Sequence, residues 1–311
     1  DAWTWTLDYL RRTTDEASAA GESPDTGGNE DYEDELKGYA NFASVIGRRL
    51  AELHAALAMP SADPAFSPAI ATADDVANWS VAAEDQLKQA LNILQAKLQN
   101  ASREPASDDE TLRLARVVLD RRQDLITFVR NCAAHGFGAL RTRIHGDFHL
   151  GQILVVQGDA YLVDFEGEPV KSLEQRRDKS SPLRDVAGLL RSIDYAIGTA
   201  SEPEREGGVQ SVAATQTQRA ALMQRFRSNA KTAFLAAYRN VLREAPCPWV
   251  TMEAEEPLLN LFQIEKAAYE ICYEAANRPL WLGLPIRGLA DLASRLTATD
   301  VAERTGETAD A

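Results

Sequence analysis

Two carboxylates and an amide between positions 147 and 164 have the types and spacing suited to phosphoryl transfer. Asp147 is followed five residues later by Gln152, and a second carboxylate, Asp164, lies twelve residues beyond that amide. Such chemistry needs an aspartate that orients and deprotonates the acceptor hydroxyl, an amide oxygen that binds the metal, and a carboxylate that bridges Mg²⁺ to nucleotide phosphates. We therefore predict Asp147 as the catalytic residue, with Gln152 and Asp164 as ligands of Mg²⁺.

The neighbouring residues predict the structure that positions this trio. A short strand is expected at 141–144, and two apolar runs, 153–156 and 160–163, flank a Gly-containing turn, a pattern typical of a β-hairpin. The ends of a hairpin lie roughly 5 Å apart, so Gln152 and Asp164 could share one hydrated cation. A lone aspartate is more often a turn or cap residue, but the ordered trio in this context favours a metal site.

The wider motifs resemble those of small-molecule kinases. The segment 145–149 reads HGDFH where protein kinases carry His-Arg-Asp, and it resembles the catalytic loop of the aminoglycoside phosphotransferase and choline kinase-like group. That group usually has Asn where this chain has Gln152. A larger set of motifs resembles maltokinase, including the form fused to trehalose synthase: HGDFHLGQ at 145–152, VDFEGEP at 163–169, SPLRDVA at 181–187, EKAAYEICYE at 265–274 and NRPLW at 277–281. The resemblance spans about 39–298.

This resemblance implies an α+β fold that is mostly α-helical, namely the C-terminal lobe of a protein-kinase-like fold with a small catalytic β-hairpin. It implies an enzyme that transfers the γ-phosphate of ATP to the anomeric hydroxyl of maltose, giving maltose 1-phosphate. The expected cofactors are Mg²⁺ and ATP, with trehalose synthase as a fused or associated partner. Leu154 is expected to contact the nucleotide.

Three further residues are expected to support the centre. His145 is interpreted as a residue that organises the loop, because Asp147 already fills the role of proton acceptor. Glu166 is expected to add a metal ligand or to support one. Asp185 interrupts the apolar face of a predicted helix, and a buried carboxylate is costly unless hydrogen-bonded, so we assign it to backbone amides of the catalytic loop. The role of His149 is left open.

A helix predicted from about 252 to 276 carries a row of polar and aromatic side chains opposite an apolar stripe. One interpretation is a solvated face, on which a Lys266–Glu270 pair contributes a few tenths of a kcal/mol. The other is a sugar site, since sugars are bound by hydrogen-bonding arrays and by aromatic rings. The maltokinase resemblance favours the sugar site, formed by Lys266, Tyr269, Glu270, Tyr273 and Glu274.

Composition narrows the class of partner. The chain has 311 residues and a formal net charge of −14, which argues against a sequence-independent nucleic-acid binder and favours a small molecule. Three cysteines without paired or metal-like spacing are typical of a reducing cytosol. No apolar run approaches the length of a membrane span. We expect a soluble, cytoplasmic protein without a nucleic-acid or membrane partner.

The sequence lacks a Gly-rich phosphate loop and a strand lysine ahead of the catalytic loop. We therefore expect residues 1–311 to be the C-terminal lobe of a longer kinase, inactive without its nucleotide lobe. Within it we expect an extended segment running into a short helix at 1–12, a mobile acidic loop at 13–34, the catalytic and activation-like region at 141–181, and the sugar-binding helix region at 252–284. The basic part of 171–181 is interpreted equally as a substrate contact or as a solvated loop.

Two other functions remain open at this stage. One is a different small-molecule kinase, for aminoglycosides or amino alcohols, although a cationic substrate calls for a denser acidic pocket than the 266–274 row provides. The other is a non-catalytic binding or regulatory module associated with trehalose synthase, against which the intact trio argues.

Overall fold

The computed structural model describes residues 1–20, 28–101, 110–201, 213–243 and 249–306. The described chain is mostly α-helical with little β-structure, as predicted. The helices are α1 (Ala2–Ala20), α2 (Gly28–Leu57), α3 (Ala73–Ala101), α4 (Glu110–Asp120), α5 (Arg122–Ala134), α6 (Leu173–Arg177), α7 (Leu183–Ser201), α8 (Ala213–Arg243), α9 (Met252–Asn277) and α10 (Gly283–Gly306). The strands are β1 (Ala69–Ile70), β2 (Leu140–Arg141), β3 (Ile153–Val156) and β4 (Asp159–Leu162).

The chain divides into two compact units. The first comprises Asp1–Ala69 and Arg141–Trp249, and it contains the predicted catalytic region. The second comprises Ile70–Leu140 and Val250–Ala311, and it contains the predicted sugar-binding helix. Strands β1 and β2 form one two-stranded sheet, and β3 and β4 form another.

Helices α2 and α8 form the core of the first unit. The two helices approach closely at Gly47, where an added Cβ would lie 2.2 Å from the carbonyl oxygen of Phe234, so a side chain there would force the helices apart. The largest buried side chains of this unit include Leu10, Tyr39, Ile46, Leu50, Phe226, Phe234 and Tyr238. This packing buries the apolar stripe that predicted α2.

The N-terminal segment differs from its prediction, because α1 is helical from Ala2 and includes the start of the expected acidic loop. The Asp1 carboxylate accepts a hydrogen bond from the Thr4 N–H at 2.9 Å, which caps the helix. Trp5 and Tyr9 are one turn apart, and both rings pack on Tyr39. The one-turn spacing of these rings therefore favours a helix, although the short alternating pattern at the start of the sequence predicts an extended segment. The expected loop also overlaps the start of α2 at Gly28, and its middle, 21–27, lies outside the described residues.

The second unit is built from α3, α4, α5, α9 and α10. Apolar residues at helical spacing over 112–129 predict one helix, but the structure has two, because the backbone at Arg121 (φ −102°, ψ 16°) interrupts the helix between α4 and α5. Gly136 in the sequence suggests a left-handed cap, but the positive φ occurs at Gly138 instead. Gly136 leaves room for Trp79, because a Cβ would lie 2.8 Å from its ring.

Two helices are longer than predicted. A Gly-, Glu- and Ser-rich run from Gly198 predicts a loop, but helix α7 continues to Ser201, and the hydroxyls of Thr199 and Ser201 donate to carbonyls one turn earlier. The acidic run from 297 predicts a frayed tail, but helix α10 continues to Gly306, because neither Pro nor Gly occurs there before that residue. Among the described helices, none is both long and apolar enough to span a bilayer.

Candidate active site

The β3–β4 hairpin brings the two predicted metal ligands into contact. The strands pair antiparallel from Ile153 opposite Leu162 to Val156 opposite Asp159, as the sequence predicted. At the open end of the hairpin, Gln152 Nε2 donates a hydrogen bond to Asp164 Oδ2 at 3.1 Å. These two side chains can therefore approach one cation together.

Asp164 has a left-handed backbone, with φ at +64°. For most L-residues this conformation costs about 1–2 kcal/mol, and Asp and Asn are among the few side chains that visit it regularly. The carboxylate thus follows a sharp change in chain direction at the end of β4, which leaves it exposed beside Gln152.

Asp147 lies in the loop that leads into a short 3₁₀ turn, Leu150–Gln152, which carries the predicted amide ligand. His149 caps this turn, since its Nδ1 accepts a hydrogen bond from the Gly151 N–H at 3.0 Å. The other ring nitrogen of His149 lies 3.9 Å from Asp147 Oδ2. The histidine whose role the sequence left open is therefore placed between the turn and the Asp147 carboxylate.

His145 connects the catalytic loop to the strand that ends at Asp164. Its Nε2 lies 2.9 Å from the carbonyl oxygen of Val163, and because a carbonyl only accepts, Nε2 is the donor. Its Nδ1 is then free to accept the Asp147 N–H at 3.4 Å. One buried imidazole thus orders the backbone at Asp147 and at the residue before Asp164.

Asp185, at the start of α7, is 2% exposed and lies beneath the catalytic loop. Its Oδ2 accepts the backbone N–H of His145 at 2.7 Å, and its Oδ1 accepts that of Gly146 at 2.9 Å. These are the hydrogen bonds assigned to Asp185 from the sequence. Gly146 has φ +85°, a conformation that suits glycine, so Asp185 fixes the turn immediately before Asp147.

Two residues on the same face of α7, Gly188 and Ser192, also contact the loop, and sequence reasoning missed both. A Cβ at Gly188 would lie 2.5 Å from the Phe148 carbonyl oxygen, so α7 touches the loop backbone directly. The Ser192 hydroxyl accepts the Leu150 N–H at 3.1 Å. Small residues three and seven positions after Asp185 were the available signal, since they share its helix face.

His54 is a further residue whose role sequence reasoning missed. It is fully buried, and its Nε2 lies 3.0 Å from Asp185 Oδ2. The sequence indicated a packed or capping histidine beside the apolar stripe of α2. Its contact with Asp185 spans 131 positions of sequence, and no local pattern could have shown it.

The remaining predicted residues of the hairpin region have different environments. Leu154 is 43% exposed on the outer face, opposite the exposed Tyr161, where an apolar group can contact a flat base. Glu166 is exposed, whereas Glu168 is buried and pairs with Lys171 at 2.9 Å. Glu166 is therefore the more accessible of these two carboxylates.

The hairpin turn is tied to α2 through an ion pair. The Arg49 Nε donates to Asp159 Oδ1 at 2.9 Å. This hydrogen bond, supported by the Ala160 N–H, lowers the pKa of the Asp159 carboxyl to about 2. The turn with left-handed residues Gln157 and Gly158 is thereby held against the helix.

Two of the four basic side chains of the 171–181 segment donate to backbone carbonyls. Arg176 donates to the carbonyls of Lys171 (2.9 Å) and Pro169 (3.3 Å). Lys179 donates to the Pro64 carbonyl at 2.7 Å. These contacts give Arg176 and Lys179 a structural role, which neither the substrate-contact nor the solvated-loop interpretation describes.

In the second unit, α9 carries the predicted sugar row. The Tyr269 and Tyr273 rings are stacked with centroids 6.2 Å apart, and Lys266 Nζ lies 4.9 Å from the Tyr269 centroid. The Arg278 guanidinium lies 5.4 Å from the Tyr273 ring centroid and 5.3 Å from that of Trp281. These rings and cations form a partly exposed surface with hydrogen-bonding and stacking capacity.

Glu274 differs from its expected place on the polar face, because it is 2% exposed. Both of its oxygens accept hydrogen bonds from Arg278, at 2.6 Å and 3.0 Å. The physical reason is the position of Arg278 just past the end of α9, one turn beyond Glu274, where a bidentate pair neutralises the carboxylate. Glu274 therefore orients Arg278, and Glu270 is the more accessible carboxylate of the row.

The residues at the hairpin suit Mg²⁺ better than a metal held by protein alone. Among the described residues, no group of three or more His, Cys, Asp or Glu could hold a metal ion. Mg²⁺ commonly takes one or two carboxylates and completes its octahedron with waters and nucleotide phosphates. One carboxylate and one amide, Asp164 and Gln152, fit that pattern, provided that the amide turns its oxygen to the cation in place of the Nε2 that donates to Asp164.

Comparison with known proteins shows similarity to sugar kinases. No family model matches the chain. Two curated relatives are glucosamine kinases. That of Streptacidiphilus jiangxiensis is 26% identical over 299 residues, covering 94% of this chain and 55% of the relative. That of Mycolicibacterium smegmatis is 27% identical over 300 residues, covering 96% and 61%.

The similar solved structures are also glucosamine kinases. One, in complex with glucosamine, ADP and inorganic phosphate, has a TM-score of 0.66 at 25% identity and covers 94% of this chain and 57% of that one. Another crystal form has a TM-score of 0.65 and covers 95% and 60%. The chain thus spans somewhat more than half the length of these relatives. They support a sugar kinase, whereas the maltokinase predicted from the motifs is not among them.

Proposed function

We propose that this chain is the catalytic C-terminal lobe of an ATP-dependent sugar kinase. The observation that carries the proposal is the contact between Gln152 and Asp164 beside a loop that presents Asp147. Asp147 orients and deprotonates the sugar hydroxyl, while Gln152 and Asp164 hold Mg²⁺ against the ATP phosphates. Leu154 contacts the base from the outer face of the hairpin, and Glu166 supports the metal.

Glucosamine is the substrate we propose first, because it is the sugar named for the relatives and for the solved complex. The α9 row is the candidate sugar surface, with Tyr269 and Tyr273 against the ring and Lys266 and Glu270 at its hydroxyls. Glucosamine carries an ammonium group, which the Glu270 carboxylate would complement, although the sequence alone suggested that a cationic substrate calls for a denser acidic pocket than this row provides. Maltose is the second candidate, because the motifs at 145–152 and 163–169 resemble those of maltokinase. The same resemblance is the basis for proposing trehalose synthase as a partner.

Kinase assays on the full-length gene product test this proposal. ADP release is measured with glucosamine, maltose, glucose and an aminoglycoside, each with and without Mg²⁺. We expect Mg²⁺-dependent turnover that is fastest with glucosamine. Turnover confined to the aminoglycoside contradicts the sugar assignment, and binding of a sugar without any ADP release favours a non-catalytic module.

The variant Asp147→Asn tests the role of the catalytic residue. It preserves shape while removing the group that accepts the hydroxyl proton, so kcat should fall by roughly 10²–10⁴-fold. ATP affinity, measured by titration, and the thermal melting temperature should stay unchanged. A variant with near wild-type turnover contradicts the assignment of Asp147.

A further inference from the structure

A continuous chain of buried hydrogen bonds leads from α8 to the catalytic loop. The Tyr238 hydroxyl lies 2.9 Å from His54 Nδ1, and His54 Nε2 lies 3.0 Å from Asp185 Oδ2. Asp185 in turn accepts the backbone N–H groups of His145 and Gly146. Tyr238 and His54 are 1% and 0% exposed. All these residues belong to the first unit.

We propose that Tyr238 is a positioning residue of the catalytic loop, acting through the hydrogen bond that orients the His54 ring. The position of each proton follows from Asp185, at the catalytic-loop end of this series of hydrogen bonds. Both Asp185 oxygens already receive backbone N–H groups, and a carboxylate acts only as an acceptor, so His54 Nε2 must carry the proton that faces it. In the neutral imidazole Nδ1 is then an acceptor, and the Tyr238 O–H donates to it.

The surroundings of His54 make this donor hard to replace. The Trp249 and Tyr238 rings meet the imidazole edge-on, with centroids 5.4 Å and 5.8 Å from that of the histidine. Because His54 is fully buried, bulk water does not reach Nδ1 when the hydroxyl is removed. Gly47, seven residues before His54 on the same face of α2, allows the close α2–α8 approach that brings the two side chains together.

Without the hydroxyl, Nδ1 becomes a buried acceptor that has lost this donor, while the Asp185 carboxylate still keeps the proton on Nε2. The imidazole is then no longer held from both sides, and a tilt of its ring changes the hydrogen bond to Asp185. Asp185 would then shift relative to His145 and Gly146, and the turn that presents Asp147 would lose its fixed geometry. Because catalysis is sensitive to displacements well below 1 Å, the effect falls on kcat more than on substrate binding.

The test compares Tyr238→Phe with Tyr39→Phe. Tyr39 is a matched control, because it is equally buried in the same unit and its hydroxyl bonds to Thr6 Oγ1 at 2.9 Å, outside the chain of hydrogen bonds that leads to the loop. We expect both variants to melt at lower temperature than the wild type. Only Tyr238→Phe should lower kcat, by about tenfold, with the KM values for sugar and ATP within about twofold.

The kcat comparison rests on the proposed function. A second measurement is therefore chosen that does not depend on activity. Nitrogen-15 NMR of the His54 ring in the wild type should show the proton on Nε2. In Tyr238→Phe, but not in Tyr39→Phe, the ring resonances and the Gly146 amide should shift. A wild-type ring with its proton on Nδ1 alone overturns the proposal, as does a Gly146 amide that is unmoved in Tyr238→Phe.

Absence of turnover on every sugar would remove the proposed function and leave the NMR result to decide this inference. Conversely, an active enzyme in which both variants lose stability but neither loses kcat shows that Tyr238 only packs.

Discussion

Replacing Gly188 by alanine tests whether α7 sets the position of the catalytic loop. The new Cβ would lie 2.5 Å from the Phe148 carbonyl oxygen, whereas ordinary contact begins at 3.4 Å, so helix and loop must separate by about 0.9 Å. The backbone, unlike the end of a flexible side chain, cannot move aside locally. The bonds from Asp185 and Ser192 to the same loop oppose this movement.

The expected loss of stability is small, because two contributions oppose each other. Overpacking of a well-packed interior costs about 1–3 kcal/mol, while Ala favours a helix interior over Gly by up to about 1 kcal/mol. The net loss is therefore about 0–2 kcal/mol. Activity should suffer far more, since a displacement near 1 Å at the residue next to Asp147 costs on the order of 10²-fold in kcat.

The assay measures kcat, KM and the thermal melt of Gly188→Ala beside those of Gly38→Ala. Gly38 is a suitable control because it also lies inside a helix of the first unit, and its added Cβ would meet the end of a side chain, the Tyr9 hydroxyl, at 3.2 Å. We expect the control to keep its kcat. Equal kcat values for the two variants would refute the view that α7 positions the loop.

Five further variants test the metal site, the sugar row and an ion pair of the second unit. Asp164→Asn should weaken Mg²⁺-dependent ATP binding more than Gln152→Ala does. The reason is that it removes a full negative charge from a ligand of a hard cation, whereas Gln152 is neutral. ATP titrations with and without Mg²⁺ measure the difference. Glu270→Ala and Tyr273→Ala should raise the KM for the sugar by about tenfold, at unchanged ATP KM and melting temperature. Glu84→Gln should lower the melting temperature at pH 7 and lose that effect as the pH falls to about 2.

The sign of the last prediction follows from the hydrogen bonds that Arg130 donates to Glu84, which lower the pKa of that carboxyl from 4.5 to about 2. Because the pKa in the folded chain is lower than the ordinary value, the ionised carboxylate stabilises the folded chain at a pH above the ordinary pKa. This stabilisation is lost as the pH falls through the pKa of the folded chain. A melting-temperature difference that stays constant from pH 7 to pH 2 contradicts this. For the other variants, equal losses at Asp164 and Gln152, or an unchanged sugar KM, contradict the assigned roles.

The local part of the site could be predicted from the sequence. The turn at Gly158 and the flanking apolar runs defined the hairpin, and the hairpin placed Gln152 beside Asp164. The role of Asp185 was also predictable, because a carboxylate on the apolar face of a helix requires hydrogen-bond donors. These inferences needed only neighbours in sequence and the periodicity of strands and helices.

The long-range part could not be predicted, because it depends on which helices pack together. The pairing of His54 with Tyr238 joins residues 184 positions apart. The burial of Glu274, in contrast, follows from its pair with Arg278 only four residues away, and this i, i+4 spacing was a local signal that sequence reasoning missed. The helical conformation around Trp5 follows from the packing of its ring on Tyr39 and Phe42, a tertiary effect that overrides a local alternating pattern.

The left-handed backbone at Asp164 has a consequence for how such a chain would lose its activity during evolution. This position must satisfy two independent requirements, a φ of +64° and a negative charge. Only Asn and Gly adopt this positive φ at little cost without carrying a negative charge. They are therefore the substitutions that remove the activity of the metal site while leaving the fold intact. Copies of this gene that have become inactive scaffolds should therefore carry Asn or Gly here, whereas a β-branched residue would mark a chain whose hairpin has also changed shape.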